Sequence, residues 1–186
     1  MASGLQHDPC AMRLLLLLRH ATYAAVPGRT DPALSENGLE EAAAVGRYLL
    51  AQDRLPGLVL CSAAQRARQT RDILLEAAGI APASEIDDAV TRGDESTLLS
   101  RLREIPDEYG TALVVGHNPT IHNLAGALAK RGPDEARARL ARAYAPATLT
   151  VLEFAATTWD ESGRSDAVLR ALYHPSAETP HREAPE

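Results

Sequence analysis

Two arginines and two histidines stand out by where they fall in the chain. Arg19-His20 closes a run of five leucines, Arg66 follows Ser62 by four residues, and His117-Asn118 comes just after the apolar stretch 111–115. In an open parallel sheet, ligands bind outside the carboxyl ends of the strands. If all three segments end strands, both pairs meet at one mouth. That set suits a tetrahedral oxyanion, because a guanidinium grips phosphate oxygens with two donors at once. A histidine in such a pocket can also react. Flanking arginines disfavour its protonation, and neutral imidazole is a competent nucleophile near neutral pH. It could attack phosphorus, form a phosphohistidine and pass the group to water. The arginines and the second histidine would steady the equatorial oxygens. A helix opening at Asn118, with Asn118 as N-cap and Pro119 as first residue, would add backbone N–H groups and a positive dipole end.

The elements that must position these residues follow from spacing. Arg13 to Arg19 is a compact apolar run of strand length. A loop with Pro27, Gly28 and Pro32 leads to a helix from about Ser35, with Leu39, Ala42, Ala43, Gly46, Leu49 and Leu50 at helical spacing. Gly57 to Cys61 reads as a second buried strand. Ser62 and Gln65 form a capping-box pattern that opens a helix at Ala63, and Gly79 suits its C′ position. A weaker strand around Ser84–Ile86 and a helix around Glu95–Glu104 precede the β-branched strand Thr111–Val115. The next helix presents Ile121, Leu124, Ala125 and Leu128 on one face. Thr148–Phe154 and Val168–Tyr173 are two further strands, joined too closely for a helical crossover and therefore antiparallel. The expected architecture is a three-layer α/β/α sandwich with a mostly parallel central sheet and an antiparallel edge strand. One domain over 12–174 is expected, between a flexible extension (1–11) and a flexible tail (175–186).

Composition narrows the partners. The 186 residues carry 45% hydrophobic and 24% charged side chains and a net charge of −6. The acidic balance argues against a nucleic-acid surface. Of the 19 basic residues only Lys130 is lysine, so most arginines are compositional background. Cys10 and Cys61 cannot make a disulfide framework or a CxxC knuckle. The five-leucine run falls short of the roughly seven to fifteen apolar residues of a signal core. No run approaches the roughly eighteen that cross a membrane. A cytoplasmic protein without nucleic-acid or membrane partners is expected.

Leu18-Arg19-His20-Ala21, the segment 61–70 (CSAAQRARQT) and Val115-Gly116-His117-Asn118-Pro119-Thr120 resemble the motifs of the histidine phosphatase superfamily, the phosphoglycerate-mutase-like fold. Asp31-Pro32-Ala33-Leu34-Ser35-Glu36-Asn37-Gly38 is similar to that family's entry into its first helix. The resemblance spans roughly residues 12 to 155. It implies His20 as nucleophile, Arg19 and Arg66 as phosphate clamps, and His117 as the second pocket histidine, with Asn118 beside the substrate. The short chain and the Arg-His-Ala variant look most like SixA-type phosphohistidine phosphatases. The implied substrate is phosphorylated, in particular a phosphohistidine-bearing protein, and no cofactor is implied.

Ala21 stands where the family usually has glycine, so the turn there should use ordinary backbone angles. The family's acid after the third strand has no clean match, and Asp88 is the candidate. A phosphoramidate tolerates a missing acid better than an alkyl ester, whose leaving alkoxide needs a proton. Other readings are a small-molecule phosphomonoester phosphatase, a phosphoglycerate-mutase-like enzyme, and a non-catalytic phosphate-binding module. A metal site built from His20, His117 and His122 is disfavoured, since the last two are five apart and do not share a helix face.

Overall fold

A computed structural model describes residues 12–25, 27–162 and 164–177. The expected flexible extension (1–11), and the expected flexible tail (175–186) beyond residue 177, lie outside the described residues.

The leucine run forms β1 (Arg13–Arg19) and occupies the middle of the molecule. Leu15 and Leu17 pack into one apolar cluster, Leu16 and Leu18 into another, and all four are buried. A strand covered on both faces needs a continuous apolar run rather than an alternating one. Each fully buried leucine contributes roughly 1.5–3 kcal/mol.

The elements follow in the order α1 (Glu36–Ala51), β2 (Leu58–Cys61), α2 (Gln65–Ala78), β3 (Ala83–Ile86), α3 (Asp88–Arg92), α4 (Glu95–Arg103) and β4 (Thr111–Gly116). Then come α5 (Thr120–Leu128), α6 (Asp134–Arg142), β5 (Leu149–Phe154), α7 (Trp159–Ser162) and β6 (Val168–Tyr173). The sheet runs β3-β2-β4-β1-β5-β6. Strands β1 to β4 pair in parallel, whereas β5 pairs antiparallel with both β1 and β6. The reversed strand therefore lies one in from the edge. Helices α1 and α2 cover one face through Ala42, Val45, Leu49, Ala67 and Leu74. Residues of α4, α5 and α6 cover the other, completing three layers.

This order has a direct consequence for the polar residues. Strand β4 lies between β1 and β2, so the three motif-bearing strands are neighbours. Arg19 is level with Gly116, and Cys61 with Val115. The residues just past these ends share one edge of the sheet.

Several local expectations change. Leu39 and Leu50 are 41% and 51% exposed, because Gly38 and Val45 take the buried face of α1 instead. Helix α2 starts at Gln65 rather than Ala63, and its N-cap residue Ala64 makes no side-chain cap bond. Gly79 does end it in the left-handed conformation, φ 68°. The five-residue helix α3 was not foreseen. Helix α5 starts at Thr120 with Pro119 at its cap, so Asn118 is not the N-cap. Pro175–Ala177 form a short 3-10 turn.

Candidate active site

His20 follows β1 directly and is only 4% exposed. Its backbone N–H bonds Gly116 O at 3.0 Å, and Ala147 N–H bonds the carbonyls of Arg19 (3.2 Å) and His20 (3.1 Å). Ala147 does this with φ 57°, a left-handed conformation unfavourable for a residue bearing a Cβ. Ala21 takes no positive φ, as expected. It is fully buried, and its N–H donates to Thr70 Oγ1 at 3.0 Å. Thr70 Oγ1 in turn donates to Arg66 O at 2.7 Å, tying the first turns of α2 to the residue after His20. On the other side, Glu41 of α1 accepts from Thr22 N (2.8 Å) and Thr22 Oγ1 (3.1 Å). Gly38 makes this docking possible: a Cβ there would sit 1.9 Å from Thr22 O.

The hydrogen bonds determine which ring nitrogen does what. His20 Nδ1 lies 2.8 Å from Ala21 O, which can only accept, so Nδ1 carries the proton. Nε2 then presents its lone pair and accepts from Arg66 Nε at 3.2 Å. For His117 the assignment reverses. Arg66 Nη2 donates to its Nδ1 at 3.3 Å, and its Nε2–H donates to Ser62 Oγ at 2.7 Å. The two imidazoles are 5.1 Å apart, centroid to centroid, with one guanidinium between them.

Both rings are held neutral. Burial pushes His20 down to about 4, opposed by the Ala21 carbonyl and helped by neighbouring His117, Arg66 and Arg19. Burial also pushes His117 down to about 4, with Arg66 and Arg19 adding and Asp31 opposing. Arg19 is lowered by burial, with Tyr23 opposing and Arg66 adding. Its Nη1 donates to Tyr144 O at 2.7 Å, while Nε is buried without a partner among the described residues.

Arg66 lies on the wall of a cavity of about 610 Å³ lined also by Asp31, Ser62, Thr91, Arg92, His117 and Asn118. His20 is not among the lining residues, but its Nε2 meets Arg66 Nε at 3.2 Å. A second cavity of about 470 Å³, lined by Tyr23, Arg29 and Pro32 among others, meets the first at Thr30 and Arg66. The Arg66 guanidinium carbon lies 5.4 Å from the centroid of the Tyr23 ring.

Arg19, His20, Arg66 and His117 are thus brought together. Of the two other candidates, Asn118 lines the cavity and Asp88 does not. The Asp88 side chain is 86% exposed and faces Arg92 at 3.8 Å. Asp88 is the first residue of α3, while Asp87 caps that helix and pairs with Arg101 at 2.7 Å. Asn118 lines the cavity, but its Nδ2 donates to Tyr144 O at 2.9 Å and its Oδ1 is buried and unpaired among the described residues. His122 lies off the site, with Nε2 2.6 Å from Leu140 O.

Sequence reasoning missed Ser62, read as a helix cap, and Asp31, read as a loop residue. Ser62 is fully buried and serves as the partner of His117. Asp31 closes the N-terminus of α2 from a distant loop, its two oxygens accepting from Gln65 N at 2.9 and 3.0 Å. A signal for it existed: a helix opening with Ala63-Ala64 has no local cap and must take one from elsewhere.

Comparison with known proteins gives the family and the fold. The model of the histidine phosphatase superfamily (branch 1) matches residues 15–90. A solved protein from Nakamurella multipartitia, provisionally named phosphohistidine phosphatase SixA, is 31% identical with a TM-score of 0.76, covering 90% of this chain and 99% of that one. The chain belongs to the histidine phosphatase superfamily. Another provisionally named SixA, from Agrobacterium tumefaciens, is 28% identical with a TM-score of 0.73, covering 88% and 98% of the two chains. An uncharacterized protein of Mycobacterium leprae (strain TN) is 32% identical over 148 residues, 78% of this chain and 88% of the relative. This superfamily member is a phosphatase, and no helix among its described residues is long and apolar enough to cross a membrane.

Proposed function

We propose that the protein is a protein phosphohistidine phosphatase that works through a covalent phosphohistidine on His20. The observation that carries the proposal is the presentation of His20 Nε2. Its neighbour Nδ1 is held as N–H by Ala21 O, and the buried ring stays neutral near pH 7. Such an imidazole needs no activating base before it attacks phosphorus.

Substrate phosphoryl oxygens replace the ring nitrogens as acceptors for Arg66, whose Nε and Nη2 both point into the site. His117 lines the same cavity as Arg66, and the charge of Arg19 acts on both rings. Ser62 holds His117 in one orientation. As Nε2 bonds to phosphorus, the bond from phosphorus to the substrate nitrogen breaks. The substrate ring leaves neutral when its other nitrogen carries a proton. These groups stabilise charge and position reactants, which is most of what phosphoryl transfer asks of a protein. No step calls on a metal ion or cofactor.

Two things support phosphohistidine as substrate. The relatives from Nakamurella and Agrobacterium carry that provisional name at 31% and 28% identity. The acid needed for an alkoxide leaving group is also absent from the place where Asp88 was expected to supply it. The discriminating experiment measures kcat/KM on phosphohistidine peptides beside sugar phosphates and phosphoglycerates. A preference of 100-fold or more for the peptides is expected, abolished in His20→Ala. Preferential turnover of a sugar phosphate or phosphoglycerate would assign a small-molecule enzyme. Tight phosphopeptide binding without turnover would make it a binding module.

A further inference from the structure

We propose that Asp31 is the general base for the second half of the reaction, taking a proton from the water that hydrolyses phosphorylated His20. This inference rests on the covalent reading above. Asp31 is the one carboxylate among the described residues lining the 610 Å³ cavity. The other carboxylates near this end of the sheet are committed elsewhere. Glu41 holds Thr22 and Asn37, Asp87 and Glu85 hold Arg101, and Asp88 faces solvent beside Arg92.

Its placement suits the step. Asp31 Oδ1 faces Arg66 Nη1 at 3.8 Å, and Nε of the same guanidinium sits 3.2 Å from His20 Nε2. One planar group therefore spans the gap between nucleophile and carboxylate. The attacking water would enter from the cavity that Asp31 lines. The carboxylate is half-exposed, so water can enter beside it. Gln65 N–H fixes its position by bonding both oxygens.

The step balances. Water oxygen bonds to phosphorus as the Nε2–P bond breaks, and the electron pair returns to Nε2. His20 regains its neutral form with Nδ1 still protonated. One water proton passes to the Asp31 carboxylate and then to solvent, and inorganic phosphate leaves.

The test separates formation of the phosphoenzyme from its decay. Rapid-quench experiments would use a ³²P-labelled phosphohistidine peptide with wild type, Asp31→Asn and Asp31→Ala. Asparagine keeps an oxygen for Gln65 N–H, so the fold and the helix cap survive. In Asp31→Asn, formation is expected within about threefold of wild type and decay slower by about 10²-fold or more. Label on His20 then accumulates. Added formate should restore part of the decay rate in Asp31→Ala. Decay at the wild-type rate would reduce Asp31 to a helix cap and overturn the proposal. So would equal losses in formation and decay, which mark a residue that only positions Arg66. A label that survives His20→Ala would instead overturn the covalent reading itself.

Discussion

The charge state of His20 can be tested without any substrate. The displacement from 6.5 to about 4 corresponds to roughly 3 kcal/mol disfavouring protonation in the folded protein. At pH 5 about nine in ten His20 rings should remain neutral, against about three in a hundred for an unperturbed imidazole. An imidazole NMR titration, with His20 assigned by comparison with His20→Ala, reads this directly. The expected midpoint lies near 4, with the Nδ1–H tautomer above it. The same displacement sets the direction of a stability change. Between about pH 4 and 6.5 the unfolded chain binds a proton at His20 that the folded chain does not. Stability therefore rises with pH across that window and falls as pH drops through it. His117, also displaced to about 4, acts in the same direction. Urea midpoints at pH 7 and pH 4.5 would show the loss. A His20 midpoint near 6.5 would refute the reasoning, because burial beside two arginines would then have no effect on the ring.

Three further outcomes follow from the site. Arg66→Ala should lower kcat/KM by about 10²- to 10³-fold, as removing one preorganised donor costs about 3–4 kcal/mol; near-normal kinetics would place Arg66 outside the chemistry. Gly38→Ala forces a Cβ against Thr22 O and should cost about 1–3 kcal/mol, seen as a Tm several degrees lower; an unchanged Tm would contradict the close packing of α1 on the loop after His20. Among the described residues no three His, Cys, Asp or Glu side chains cluster as a metal site. Turnover should therefore survive a chelator, and activity lost in chelator but restored by zinc or magnesium would contradict the metal-free mechanism.

Residues whose role depends on one strand or one helix were readable from the chain. The five leucines announce a strand covered on both faces, and Arg19-His20 and His117 announce its polar end and that of its neighbour. Their convergence required only parallel strands ending together, a property of the fold class. What escaped was set by contacts between distant segments. Ser62 and Gln65 match a capping box locally, yet Ser62 Oγ meets His117 across 55 residues, and Asp31 supplies the cap from 34 residues away. Asn118 has the composition of an N-cap, but Tyr144 O takes its side chain. Asp88 lies in the right stretch of chain for an acid. The short helix α3, capped by Asp87, turns it toward solvent. For Ser62 and Asn118 the local pattern was genuine and a tertiary hydrogen bond outcompeted it; for Asp88 the local helix start decided the outcome.

The central claim is that His20 carries the phosphoryl group during turnover. Acid-labile, base-stable label from a ³²P-phosphohistidine peptide should map by mass spectrometry to His20 and vanish in His20→Ala with the fold intact. Label on another residue, or full turnover by His20→Ala, would contradict it.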